Sequence, residues 1–452
     1  MKIDTYLDYQ TILANHARPV HFAVKFEAAS VTNNRPKPAA FNAVIDHSGS
    51  MAGEPLKRAK EAAQLAVRNL RPEDHFSLVV FADEAQTLIP LQPAAAKKDE
   101  WLRIIAEITD AGSTNLTGGW MLGRDELKKA PTEATRRLLL LSDGHLNVGI
   151  VDPPIVKQVV AAGLERDRIR TSCLGFGDGY NEDLMADLAK VTGGQFYDAD
   201  SAEKLPAIFE AELEGLQKLS VQNLRLRFKR LEFCDAAVLL GNYPMVELPD
   251  GRTEIAMGDL VSGETRIVCF TLSVLPLPSI QNKPAFSIEG ERLIEMELAF
   301  DEIGQAEVAS RTITQVIRIQ ATQNPEDVRV HAEVVPWVAM QTAGKVMQEV
   351  MEQMDKGKQT EAIRLLEGAI ASLKEYGSVE MICEALVQLE KLLQKLREGE
   401  WSERERKGTK YRLESLGKMS SEDLWTSNEE APSFKRPRRR PPQQPGDTNE
   451  PI

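Results

Sequence analysis

Phe41-Asn42-Ala43-Val44-Ile45-Asp46-His47-Ser48-Gly49-Ser50-Met51 is the stretch on which the fold turns. Phe41 to Ile45 is a short apolar run of the kind a buried strand needs, and Leu56 to Leu70 has helical apolar spacing. A strand-to-helix loop therefore carries a carboxylate at i and hydroxyls at i+2 and i+4. Three hard oxygens aimed at one point suit Mg²⁺ or Ca²⁺ rather than zinc or copper. His47 falls between Asp46 and Ser48, so its side chain is expected to point away from the ion and not to ligate it.

Two more oxygen-rich loops follow. One is Gly112-Ser113-Thr114-Asn115-Leu116; the other closes the apolar run Leu138 to Leu141 with Ser142-Asp143-Gly144. Strand-like runs also appear at His75 to Asp83, Ile169 to Gly177 and Gly193 to Tyr197. They alternate with helical patterns at Lys98–Ile108, Trp120–Lys129, Pro154–Leu164 and Asn181–Val191. Such alternation predicts a parallel sheet with helices on both faces. Ligand sites in open sheets of this kind collect at the carboxyl ends of the strands. Singly, each residue also has a plainer reading: Asp46, Ser48 and Ser50 as helix caps, and Asp143-Gly144 as a turn pair. Their joint order and flanking strands favour one metal centre built from Asp46, Ser48, Ser50, Thr114 and Asp143.

This D-x-S-x-S, then T, then D-G pattern resembles the metal-ion-dependent adhesion site of von Willebrand factor A domains, and the resemblance runs from about Phe41 to Phe209. It implies that those five residues surround one divalent cation, Mg²⁺ with Mn²⁺ or Ca²⁺ as alternatives. It also implies one coordination position left open for an Asp or Glu of a partner protein. His47, Asn115 and His145 would line the rim that the partner meets. The function implied is a metal-dependent protein–protein interaction module, a scaffold or adaptor. Its partner would be an AAA+ ATPase or a kinase or phosphatase of a signalling system.

The rival readings are a metal-assisted hydrolase and a membrane-channel-associated regulator. Against the hydrolase, the chain has no G-x-S-x-G elbow, no G-x-x-x-x-G-K-[ST] loop and no H-E-x-x-H pair. The expectation is a protein that is not an enzyme. The net charge of −13 argues against broad nucleic-acid binding and against anionic membranes. Nucleic acid is left only a weak role, through the basic run Lys435 to Arg440. No secretory signal and no long apolar span are visible. Cys173, Cys234, Cys269 and Cys383 are scattered along apolar stretches and read as buried free thiols. A cytoplasmic location is expected.

The full expectation is an α/β protein: a doubly wound parallel-sheet A domain inserted in an antiparallel β-sandwich, then a small helical bundle and a disordered tail. Residues 1–35 contribute the sandwich's first strand, read from the alternation of Val20, Phe22, Val24 and Phe26. Residues 36–215 form the A domain and 216–325 the rest of the sandwich. This arrangement resembles bacterial proteins of the calcium-activated chloride-channel-like group. Residues 326–398 form the bundle, with a methionine stripe at Met340, Met347, Met351 and Met354 assigned to its core. Residues 399–452, rich in Pro and Arg, are the tail, since they cannot bury a core.

Overall fold

The computed structural model describes residues 1–416 apart from 31–37, 96, 133, 143–145, 147, 177–178, 200, 279–289, 304–307 and 375–379. The chain opens with β1 (Lys2–Leu7), β2 (Thr11–Leu13) and β3 (Arg18–Glu27). The α/β module follows: β4 (Ala39–Asp46), α1 (Glu54–Asn69), β5 (His75–Phe81), β6 (Ala85–Pro93), α2 (Lys98–Ala106), α3 (Leu116–Leu127), β7 (Thr135–Ser142), α4 (Pro153–Asp167), β8 (Ile169–Phe176), α5 (Glu182–Thr192), β9 (Phe196–Ala199) and α6 (Leu205–Gln217). Next come β10 (Leu219–Arg230), β11 (Cys234–Leu239), β12 (Met245–Glu247), β13 (Thr253–Val261), β14 (Thr265–Val274), β15 (Glu291–Ile303) and β16 (Val308–Thr322). The helices α7 (Val334–Asp355), α8 (Gln359–Lys374), α9 (Glu380–Glu398) and α10 (Glu403–Leu416) complete it.

The α/β sheet runs β6-β5-β4-β7-β8-β9. Every pair in it is parallel except β5–β6. Every residue of β4 and of β8 is buried, as strands covered on both faces should be, and in β8 this includes Arg170, Thr171 and Ser172. One face packs Phe41, Ile45 and Phe76 against Trp101 of α2 and Phe209 of α6. The other packs Val44 and Phe81 against Trp120 of α3, Val160 of α4 and Leu188 of α5. The antiparallel edge strand β6 was not read from the sequence.

Two further sheets, β1-β3-β14-β11 and β12-β13-β10-β15-β16-β2, close over a core that includes Phe22, Phe26, Phe228, Phe270 and Met296. Before the α/β module the chain forms three strands, where alternation marks only β3; β1 is antiparallel to β3 and β2 parallel to the end of β16. The α/β module thus lies between β3 and β10 in the chain. The sandwich grips it at the amino ends of β7 and β8. Arg137 reaches Glu212 at 3.2 Å and Asp259 at 3.8 Å, and Arg170 Nε meets Asp259 at 2.5 Å. This leaves the carboxyl ends of β4 and β7 clear of the sandwich contacts.

Met340, Met347 and Met351 are buried among α7, α8 and α9, with Met354 packed against them. Three cysteines are buried, but Cys383, on α9, is exposed, which corrects the expectation for that residue. The expected tail of 399–452 is corrected over its first part, which is helical. Residues 403–416 form α10, and residues 417–452, with the basic run Lys435 to Arg440, lie outside the described residues. α10 escaped the sequence reading because ions hold it more than apolar side chains do. Arg406 pairs with Asp183 at 2.8 Å and Asp355 at 2.7 Å, Lys407 with Glu182 at 2.9 Å, and Lys410 with Asp183 at 3.2 Å. Arg404 pairs with Asp198 at the end of β9. Tyr411 adds an edge-on contact with Phe196. The helix therefore ties the bundle to α5 and β9.

Candidate metal centre

β4 delivers Asp46 to the carboxyl edge of the sheet, where its side chain is fully buried. Oδ1 accepts the Ser48 N–H at 2.9 Å, closing a tight turn. Oδ2 accepts the Ser142 hydroxyl at 2.7 Å from the end of β7. Burial pushes the Asp46 carboxyl above its ordinary range, against the pull of hydrogen bonds from Ser48 and Ser142 and of nearby His47. A buried carboxylate is costly unless a charge compensates it.

Ser48 Oγ and Ser50 Oγ lie 3.1 Å apart, Ser48 buried and Ser50 exposed. Neither Asp46 nor either serine caps the following helix. The cap of α1 is Gly53, in a positive-φ conformation at 83°. The short helical turn Gly49–Met51 gets no side-chain bond from Ser48. The capping alternative thus finds no support in the geometry.

Thr114 is buried on the loop that enters α3. That loop is laced to the serine loop: Ala111 N–H donates to the His47 carbonyl at 2.8 Å, and Gly49 N–H to the Gly112 carbonyl at 3.1 Å. The Val148 N–H donates to the Thr114 carbonyl at 3.2 Å, so the segment after β7 joins the same edge. The structure therefore brings Asp46, Ser48 and Ser50 together, and backbone bonds lace the loop that carries Thr114 to the serine loop. Asp143 and His145 lie outside the described residues.

The rim residues differ in what they have left to offer. His47 is half-buried, and its Nδ1 lies 2.8 Å from the Thr109 carbonyl. Asn115 is the N-cap of α3: its Oδ1 accepts the Gly118 N–H at 3.0 Å, and its Nδ2 donates to the Asp83 carbonyl at 3.3 Å. Both ends of the Asn115 amide are thus engaged in the fold.

Sequence reading passed over two residues, Ser142 and Asp83. Ser142 belongs to the oxygen-rich close of a strand, but nothing local shows that its hydroxyl crosses to Asp46. Asp83 was seen only as the close of a strand.

A divalent cation fits these residues. The donors are hard oxygens, one a buried carboxylate and two others hydroxyls in mutual contact, as Mg²⁺, Mn²⁺ or Ca²⁺ requires. Asp46 already accepts two hydrogen bonds, and each carboxylate oxygen keeps a further lone pair for a metal or a metal-bound water.

Comparison with known proteins agrees with this fold. Residues 43–211 match the family model of the von Willebrand factor type A domain. An uncharacterized protein of Synechocystis sp. is 25% identical over 312 residues, covering 65% of this chain and 69% of the relative. Human inter-alpha-trypsin inhibitor heavy chain H4 is 28% identical over 250 residues, covering 50% of this chain. The match spans only 27% of that heavy chain's own length. Among solved structures, the von Willebrand factor type A protein from Catenulispora acidiphila superposes with a TM-score of 0.65 at 16% identity, covering 85% of this chain and 88% of that one. The ArnB paralog VWA2 from Sulfolobus acidocaldarius gives 0.58 at 15% identity, covering 92% and 97%. At such identities the structural likeness speaks for the fold alone. The region from residue 43 to 211 is a von Willebrand factor type A domain, a fold that mediates protein–protein interaction, often through a metal.

Proposed function

We propose that the chain is a metal-dependent protein–protein interaction module of the cytoplasm, a scaffold or adaptor rather than an enzyme. Asp46, Ser48, Ser50, Thr114 and Asp143 would hold the cation, Mg²⁺ first among the candidates. When bound, the cation supplies an open coordination position that favours an anionic oxygen, such as a partner's Asp or Glu carboxylate. The single observation that carries this reading is the buried Asp46 carboxylate, held by Ser142 at 2.7 Å beside two hydroxyls 3.1 Å apart. The protein's own residues hold the Asp46 carboxylate in advance and cover it from water. An AAA+ ATPase or a signalling kinase or phosphatase is the partner class to look for, on the resemblance alone. Three buried free thiols sit comfortably with a reducing compartment.

The test is a pull-down from the source cell with wild-type protein and Asp46→Ala, in Mg²⁺ and in EDTA. The reading expects a partner retained only by wild type with Mg²⁺. A partner set indifferent to both changes would overturn it.

A further inference from the structure

Asp83 follows the end of β5, on the turn into β6, and is exposed. Its Oδ1 accepts the Ser113 N–H at 3.0 Å. Its backbone carbonyl accepts Asn115 Nδ2 at 3.3 Å, and the Ala82 carbonyl before it accepts the Asn115 N–H at 2.7 Å. These bonds grip the chain on both sides of Thr114.

The carboxylate also lies against Gly112. That residue has φ of +54°, where glycine is at ease, and a Cβ there would sit 2.1 Å from Asp83 Oδ2. Gly112 is the residue whose carbonyl takes the Gly49 N–H, between Ser48 and Ser50. One side chain thus fixes the loop that carries Thr114 and, through Gly112, its spacing to the serine loop.

We propose that Asp83 is a positioning residue of the metal centre. It holds the Thr114 arm against the Ser48–Ser50 loop and is not itself a ligand. The proposal rests on the metal reading above. A ligand on an exposed loop is precise only when neighbouring groups lock that loop, and such supports commonly matter to affinity nearly as much as the ligands. Asp83 acts here as an acceptor of a backbone N–H, a task that an amide oxygen also performs.

The experiment measures Mn²⁺ affinity of the full chain by calorimetry for wild type, Asp83→Ala, Asp83→Asn and Gly112→Ala. Melting temperatures of each in EDTA serve as the check on folding. Asp83→Ala and Gly112→Ala are expected to weaken Mn²⁺ binding by about tenfold or more. Asp83→Asn is expected to restore binding to within about threefold, since it keeps the acceptor and loses the charge. If Asp83→Asn loses as much as Asp83→Ala, Asp83 acts through its charge and the positioning role is wrong. If Asp83→Ala binds like wild type, Asp83 has no role. Absence of Mn²⁺ binding by wild type would overturn the metal reading and this proposal with it. Tight wild-type binding that no variant alters would overturn this proposal alone.

Discussion

The Ser142 hydroxyl donates to Asp46 Oδ2 at 2.7 Å, joining the ends of two adjacent parallel strands at the floor of the candidate site. The Ser142 side chain is buried, so no water stands ready to replace it. Hydrogen bonds to charged groups contribute about 1.5–3 kcal/mol. Ser142→Ala is expected to lower stability by an amount in that range and to weaken Mn²⁺ binding. Urea denaturation in EDTA and calorimetry with Mn²⁺ measure the two effects. A variant unchanged in both would show that Asp46 needs no such support.

Asp46 makes the stability of the protein depend on pH in a direction opposite to that of a paired carboxylate. Burial holds its native carboxyl above the ordinary range. The native state therefore keeps this proton at pH values where the unfolded chain, with a carboxyl pKa of about 3.9, has lost it. In EDTA, the contribution of this group is fully present below that value and is lost as pH rises through the raised native one. Asp46→Asn removes the dependence, so it is expected to match or exceed wild type at neutral pH in EDTA. Mg²⁺ at about a hundred times its dissociation constant should then add about 2.7 kcal/mol to wild type and nothing to the variant. Thermal melts in EDTA and in Mg²⁺ decide this.

Cutting the chain after Gly399 removes α10. The cut loses the Lys407–Glu182 pair, the buried Leu413 and the contact of Tyr411 with Phe196. A fall of several degrees in melting temperature is expected. A truncated chain that melts like the full one would mean α10 is dispensable to the fold.

The same helix should loosen in acid. Burial would raise the carboxyl of Asp183, but Lys410 and Arg406 outweigh it and hold the pKa below the ordinary value. Its contribution is present above about pH 3.9 and is lost as pH falls through the lowered native value. Hydrogen exchange of 403–416, followed on either side of that range, should show protection falling with acid and with added salt. Protection indifferent to both would exclude an ionic hold.

Asp259 faces two buried guanidinium groups and shares their charge with Glu212, which meets Arg137 at 3.2 Å. Arg170 Nε lies 2.5 Å from Asp259 and Arg137 Nη2 3.8 Å, with these three side chains 9% exposed or less. Breaking a buried pair from one side costs about 3–5 kcal/mol, because the remaining charge stays buried. Asp259→Ala is expected to lose stability of that order by denaturant titration. A loss below about 1 kcal/mol would show that Glu212 alone satisfies Arg137 and that Arg170 finds water.

Local pattern carried much of this protein. The apolar runs at 41–45 and 138–141 and the helical spacing at 56–70 announced an α/β sheet, because side-chain periodicity is a property of a short window. The chain order of D-x-S-x-S and the later threonine marked the candidate site for the same reason. The sandwich strand read from Val20, Phe22, Val24 and Phe26 showed its alternation too. Tertiary structure alone decided what joins these windows. The Ser142–Asp46 bond spans 96 residues, and the Arg404–Asp198 pair spans 206. No local periodicity encodes such partners. α10 carries too few apolar residues to be seen as a packed helix, and its ion pairs exist only once α5, β9 and α7 are assembled. Asn115 looked free to meet a partner, yet the start of α3 claims its amide. A side chain's type is written in the chain, but the group that uses it is settled by which loops the sheet brings to one edge.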